Sequence, residues 1–347
     1  MAISLPTVTQ HLEVLLDKHL IEKCGQLASN IGRSATAYQI NSLAQIAVGI
    51  EIFEESVNIV AINLYGKVEA KDFVTLKFCA NSEYLENLSV IVKWFLQKYN
   101  YEEKQVLGIG LGIQGITFGD GSEITYGSVL DYINLSIYSF SEKFSVPCRF
   151  VRDVECLAKS ELWENPEIKD AIFLSLGYQV SGAIIIDGVL RNGITGKNGA
   201  LGHMTLIPDG RVCYCGKKGC VDSYCSGRSL LTSEMQLKEF LLQKKQEKSY
   251  YKQKWNEYLD YLSILINNLH MIIDGYIVLG GQISTYFTEQ DICDIQNKVF
   301  KRALFKESVD YIIQGKCKKD AVPIGAAISF IKSFLENVYY FSNNEKC

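Results

Sequence analysis

Cys213-Tyr214-Cys215-Gly216-Lys217-Lys218-Gly219-Cys220 places three cysteines and two glycines within eight residues. Glycines at the third and sixth intervening positions let the backbone fold tightly, so three thiolates can converge on one point. Zinc takes four such ligands tetrahedrally, and a Cys3His set is common in structural sites. His203, ten residues upstream across the turn Pro208-Asp209-Gly210, is the natural fourth ligand, with Cys225 as the alternative. A zinc held by His203, Cys213, Cys215 and Cys220 would have no open position for water, which makes it structural rather than catalytic. The competing reading is a loop of free thiols, which leaves the two glycines unexplained.

Outward from this loop, strands and helices alternate. Ile46 to Ile52 and Val57 to Leu64 read as a hairpin pair, and Leu88 to Tyr99 as an amphipathic helix. Val106 to Ile113 is a glycine-interrupted buried strand, and Ile133 to Phe144 reads as a second helix. Further strands are expected at Cys148 to Val151 and Ala171 to Leu176. A polar helix is expected on the surface within Thr232 to Lys254. The long helix Trp255 to Ile273 then leads into the strand Tyr276 to Leu279. Such alternation means an α/β protein with parallel or mixed sheets.

The 347 residues, 48% hydrophobic and 21% charged, are enough for two or three domains. The net charge of -4 gives no global attraction to nucleic acid or anionic lipid, so any DNA contact must be local. There is no basic segment followed by an apolar run at the N-terminus and no uninterrupted apolar stretch of about 18–20 residues. A cytoplasmic protein with reduced thiols is expected. The remaining cysteines read as single core or surface residues.

The first forty residues differ in character. Ser4 can cap a helix whose first turn holds Pro6, and Val8, Leu12, Leu15 and Leu16 form an apolar stripe. Thr7, Thr9, Gln10 and His11 lie on the opposite face. A short strand, a polar turn carrying Arg33 and a second strand through Tyr38-Gln39-Ile40 follow. Helix and hairpin match the latter half of a winged helix, or else pack on the main body as a plain extension.

In this order, the motifs resemble the ROK family of bacterial repressors and sugar kinases along almost the whole chain. The resemblance rests on Gly49-Ile50-Glu51, Gly108 to Gly112, Arg152-Asp153, Gly177, Gly202-His203, the cysteine run, Ile277 to Gly281 and Ile324 to Ala327. It implies a two-lobed, sugar-kinase-like fold of the actin and hexokinase type with a partial N-terminal winged helix-turn-helix. The implied parts are a DNA-binding segment at 1–43, a first lobe at 44–150 plus 323–342, and a second lobe with the zinc at 151–322. Pro6, Thr7, Thr9, Gln10 and His11 look like the family's recognition helix and Arg33 like its wing. Met1 falls just before that helix, where family regulators carry two more, so a truncated or incomplete DNA-binding domain is expected.

Kinases of the family hold ATP phosphates with an Asp-x-Gly-Gly-Thr loop. The matching residues are Glu51, Phe53, Glu54 and Glu55, a ring and extra carboxylates where a triphosphate would sit. After Gly177, Tyr178, Gln179 and Ser181 stand where the family favours Thr and Gly. Phosphorylation is therefore not expected, and Asp153 merely keeps the position of the kinases' base. The family's sugar-binding positions fall on Arg152, Asp153, Ala200, His203 and Asp222. Arg152 in place of Asn favours an anionic sugar derivative, or else pairs internally with Asp153 or Asp222. The expected function is a DNA-binding regulator, a repressor of carbohydrate genes. It would resemble the branch of xylose and N-acetylglucosamine repressors, with operator DNA and a sugar or sugar-derivative effector as partners, acting as a homodimer or homotetramer. The alternatives are a hexose kinase with unusual phosphate loops and a ligand-binding protein without DNA contact.

Overall fold

The computed structural model describes residues 4–27, 35–117, 119–127, 134–194, 196–231, 236–246, 248–306, 308–316 and 319–344. The N-terminal unit is one helix and one hairpin. Ser4 caps α1 (Leu5–Asp17), accepting from the Thr7 N–H at 3.4 Å, and no residue of the helix is fully buried. The strands β1 (Ile21–Leu27) and β2 (Ala35–Ile40) pair antiparallel, Ile21 opposite Ile40, with a bulge between Lys23 and Gly25.

The first lobe carries β3 (Ile46–Ile52), β4 (Ser56–Asn63), β5 (Val68–Thr75), α2 (Ser82–Lys98) and β6 (Val106–Ile113). It continues with β7 (Ile116–Thr117), β8 (Glu123–Tyr126), β9 (Leu135–Ser136), the single-turn α3 (Tyr138–Ser141) and β10 (Cys148–Arg152). Its five-stranded sheet has the order β10-β6-β3-β4-β5, with β3, β4 and β5 antiparallel and β6 and β10 parallel to β3. One face buries Ile50, Ile59 and Leu111 against Leu85, Leu88 and Phe95 of α2. The helix α4 (Asp153–Glu164) then leads to the second lobe.

That lobe comprises β11 (Ala171–Leu176), β12 (Val180–Ile186), β13 (Val189–Leu190), the one-turn α5 (Asp222–Cys225) and α6 (Gly227–Leu230), and α7 (Leu237–Lys245). It ends with α8 (Ser249–His270), β14 (Tyr276–Gly280), α9 (Gly281–Ser284), α10 (Glu289–Arg302) and β15 (Ile312–Gln314). Its sheet order, β13-β12-β11-β14-β15, repeats that of the first: an antiparallel meander followed by two parallel strands. Leu259, Leu262 and Ile266 of α8 cover one face, and Val154 and Ala158 of α4 the other.

The final helix, α11 (Ala321–Asn344), returns to the first lobe and packs Ala327, Ile328 and Ile331 against Val60 and Ile62. It meets β3 at Gly49, where an added Cβ would lie 1.7 Å from the Pro323 carbonyl oxygen. The Ala321–Val338 stretch is long and apolar enough to cross a membrane by length and composition, but half of it is buried within this fold.

Three expectations are corrected. Residues 134–144 form β9 and the single turn α3 instead of a long helix. Here Leu135, Ile137 and Phe140 are buried while Ser136 and Tyr138 are exposed, a two-residue rhythm that suits a strand better than a helix. The stretch expected as a surface helix contains α7, which buries Leu237, Phe240 and Leu241, so it is core-facing. The expected lobe boundaries shift slightly: β10 pairs with β6 through Arg152, and α11 begins at Ala321.

Gly49→Ala should therefore be destabilised by about 1–3 kcal/mol or more, because the clash is with backbone and cannot be relieved by a rotamer change. Denaturant unfolding of the variant beside the unchanged chain measures this, and an unaltered midpoint would mean that α11 does not seat as described.

Candidate metal centre and interlobe cleft

The cysteine loop lies between β13 and α5, braced against the segment 204–207. Leu206 N–H donates to the Gly219 carbonyl at 2.7 Å and Cys213 N–H to that of Lys217 at 2.8 Å. Gly219 adopts φ +79°, and a side chain there would meet the Ile207 carbonyl oxygen at 1.8 Å, so both conformation and space require glycine. The fold brings His203, Cys213, Cys215 and Cys220 together with all four ligand atoms within 4.8 Å of one another. Cys215 Sγ lies 3.8 Å from Cys220 Sγ, and Cys213 Sγ lies 4.0 Å from His203 Nδ1. A tetrahedron of ~2.3 Å metal–sulfur bonds has edges of about 3.8 Å, so the spacing fits such an ion.

The donor chemistry agrees. Burial pushes the Cys220 thiol up to about 12, whereas a backbone hydrogen bond from Lys217 lowers Cys215. A cation held among the sulfurs would favour thiolate ligands and offset this cost of burial. The other imidazole nitrogen, His203 Nε2, lies 3.1 Å from the Tyr214 hydroxyl. Cys225, the alternative fourth ligand, lies outside the cluster: it is completely buried in the second-lobe core, and burial raises its thiol.

Between the lobes lies a cleft of about 600 Å³ lined by Glu51, Phe53, Glu54, Asp153, Tyr178 and Asp320 among others. Glu51 is raised to about 7, first by burial and then by the Asp153 charge, against a hydrogen bond from Asn58. Burial also raises Asp153. Asp320 pairs with Lys71 and accepts from Asn58 Nδ2 at 3.1 Å. Tyr178 faces the Arg228 guanidinium, which lies 4.5 Å from its ring and 4.4 Å from that of Tyr214. This stack links the turn after β11 to the cysteine loop.

Several expected ligand residues point elsewhere. Arg152 is 6% exposed, and its Nη1 donates to the Gly196 and Asn198 carbonyls at 2.8 and 2.9 Å, with Glu155 3.7 Å away. Its guanidinium is thus engaged by the loop at 196–198 rather than presented to an anionic ligand or paired with Asp153 or Asp222. Asp222 is 2% exposed and accepts from the Val180 N–H at 2.7 Å. Its carboxylate orders the start of β12. Asp153 lines the cleft and His203 is exposed at the cysteine loop. On α1, Pro6, Thr9 and Gln10 are exposed, whereas Thr7 and His11 are half-buried. The Thr7 hydroxyl lies 2.8 Å from that of Ser4, and Thr9 Oγ1 donates to the Leu5 carbonyl. Arg33 lies outside the described residues. Asp320 and Arg228 escaped the sequence reading, because each reaches the cleft or the cysteine loop only through contacts between distant segments; Tyr214 lies within the cysteine run, but its contact with His203 was not foreseen.

A ROK family profile matches residues 47–333. The xylose repressor of Caldicellulosiruptor bescii is 29% identical over 224 residues, 63% of this chain and 56% of that protein. The DNA-binding transcriptional dual regulator NagC of Escherichia coli K12 is 23% identical over 227 residues, 65% of this chain and 56% of that protein. The chain thus spans about half the length of these curated relatives. Among solved structures, a ROK family transcriptional regulator, a homolog of the E. coli Mlc protein, has a TM-score of 0.81 at 17% identity, covering 98% of this chain and 91% of that one. A ROK hexokinase from Thermus thermophilus has a TM-score of 0.71 at 19% identity, covering 84% and 100%. At these identities the likeness is one of fold.

The cleft's acidity makes stability depend on pH. Since the folded pKa of Glu51, about 7, lies above its ordinary 4.5, the folded state keeps this proton longer than the unfolded chain. The ionised side chain therefore costs stability as pH rises from 4.5, fully so above 7. Glu51→Gln should be more stable than the unchanged chain by about 2–3 kcal/mol at pH 8. The advantage should vanish near pH 4.5, as read from denaturant unfolding at both pH values.

Proposed function

The chain belongs to the ROK family, and on that footing we propose that it is a DNA-binding transcriptional repressor of carbohydrate genes without kinase activity. The observation that carries this reading is the helix-and-hairpin unit ahead of the two lobes. The likeness to the regulator structure covers 98% of the chain, whereas that to the hexokinase covers 84%. The exposed face of α1, with Thr9 and Gln10, enters the major groove, and Thr7 and His11 flank it. The repressor branch of the named relatives supports the same direction.

A sugar or sugar-derivative effector binds between the lobes, near Asp153 and His203. It shifts the lobe angle and with it the spacing of the DNA-binding units in a cytoplasmic homodimer or homotetramer. One zinc on His203, Cys213, Cys215 and Cys220 fixes the loop that carries the imidazole. It supplies a structural crosslink, while Tyr214 orients the ring. Arg152 and Asp222 serve this site indirectly, by ordering its loops.

The kinase reading is favoured only by the shared lobes. Against it stands the cleft itself: Glu51, Glu54, Asp153 and Asp320 face the space a triphosphate needs, with Phe53 in the loop where a small residue would admit it. Carboxylates and phosphate a few Å apart repel by several kcal/mol, on the order of 4 at 4 Å in a partly desolvated cleft.

Capture of genomic DNA fragments by the purified chain tests the proposal. Enrichment of one defined site, released by a sugar, is the expected result; no enriched site combined with ATP-dependent sugar consumption would make the chain a kinase. Gln10→Ala should weaken binding to the captured site by about 1–3 kcal/mol. Metal analysis should find one zinc per chain, lost in Cys220→Ser. Tyr214→Phe should lower zinc affinity by about 10-fold or more in a competitive chelator titration.

A further inference from the structure

On the side of the molecule where α4 and α11 cross, a cavity of about 670 Å³ opens between the lobes and adjoins a smaller one of about 150 Å³. Arg149, Lys159 and Asn192 line both. Arg149 comes from β10 of the first sheet, Lys159 from α4, and Asn192 from the segment after β13 of the second sheet. The site is thus built from both lobes and from the helix that joins them.

Among the described residues, two cations here form no ion pair with a carboxylate. Arg149 lays its guanidinium over the Phe330 ring at 4.3 Å, and its buried Nε has no hydrogen-bond partner. Among the described residues no acid forms an ion pair with Lys159, whose pKa is lowered by burial and by the nearby Arg149 charge, against that of Glu155 on the same helix. The acids that line these cavities face other groups. Glu155 lies 3.7 Å from Arg152, Asp187 3.4 Å from Arg191, and Glu336 4.0 Å from Lys332. Asp120 accepts from the Ser122 N–H at 2.9 Å. The buried Ser329 hydroxyl, on the cavity's α11 wall, is also without a partner.

Two half-buried cations beside a half-open cavity, with the unsatisfied Arg149 Nε and Ser329 hydroxyl buried in its wall, are a setting suited to an oxyanion. Leu162, Ile168 and Val189 give the larger cavity apolar walls, and its size falls within the roughly 300–1,000 Å³ of metabolite pockets. We propose that Arg149, Lys159 and Asn192 form a second effector site for a small phosphate-bearing metabolite, separate from the sugar cleft. Arg149 holds the phosphate through its planar fork and Lys159 as a point charge. Asn192 completes the shell, and the organic part rests on the apolar walls. Because its contacts come from both lobes, the bound phosphate favours the lobe angle at which they converge. This site does not depend on whether the chain binds DNA.

The test is a titration of the full chain with inorganic phosphate at constant ionic strength, followed by calorimetry and by acetic anhydride labelling of Lys159. Saturable binding, weakened at least about tenfold in Arg149→Met and in Lys159→Met, is expected. Labelling of Lys159 in the unchanged chain should fall as phosphate saturates, a readout that needs no variant to fold. Asp153→Asn, altered only in the sugar cleft, should bind phosphate as before. No saturable binding at millimolar phosphate, unprotected Lys159, or loss of binding in Asp153→Asn but not in Arg149→Met would overturn the proposal.

Discussion

The contact on which this architecture depends is the seating of α11 on β3, where the Pro323 carbonyl lies directly over Gly49. The second lobe ends at β15, and the chain must return to the first lobe to close its sheet's open face. It does so with a helix that approaches the sheet closely enough to exclude any side chain at Gly49. The same helix packs along α4, the other connection between the lobes, and the buried Ser160 hydroxyl donates to the Ala321 carbonyl. Two helices crossing at one junction therefore hold the lobes together, and any change in lobe angle must be accommodated there.

That junction organises the electrostatics on both sides of it. On one side the ends of β3, β6 and β11 and the start of α11 converge, so Glu51, Asp153 and Asp320 share one cleft. Burial and the Asp153 charge raise Glu51, and among the described residues Lys71 and Asn58 answer Asp320. A cleft whose own carboxylates are raised by burial and mutual repulsion disfavours further negative charge. On the other side the sign is reversed. Among the described residues neither Arg149 nor Lys159 forms an ion pair, and the acids near them are engaged by other groups, so the two faces of the same hinge differ in electrostatic character.

The metal centre works by a different means. Its loop has almost no apolar side chain to bury, with Val212 and Tyr214 exposed, so packing alone cannot order it. Backbone hydrogen bonds to segment 206–211 and the tight turn at Gly219 bring the sulfurs to tetrahedral spacing. The Tyr178–Arg228–Tyr214 stack runs from this loop to the edge of the cleft.

The fold class was legible because buried strands such as Ala171–Leu176 and the cysteine run carry their signals locally. Thiol spacing and paired glycines state their chemistry within eight residues, and His203 follows from the loop's reach. The helix expected over 133–144 failed because its apolar residues are spaced for a short strand and turn, a difference too small to read in so short a segment. The matching order of the two sheets left no visible sequence repeat, since topology is set by which strands pair rather than by residue identity. Sequence by itself determined the alternation of elements, the spacing of the cysteine run and the bulky and acidic residues after Glu51, all of which are properties of neighbouring residues. Only the tertiary structure decided that Arg152 and Asp222 turn inward to backbone partners, that Glu51 meets Asp153 and Asp320, and that Arg149 and Lys159 share a cavity. Those outcomes depend on which distant segments come within a few ångströms, and burial then sets what each charge can do.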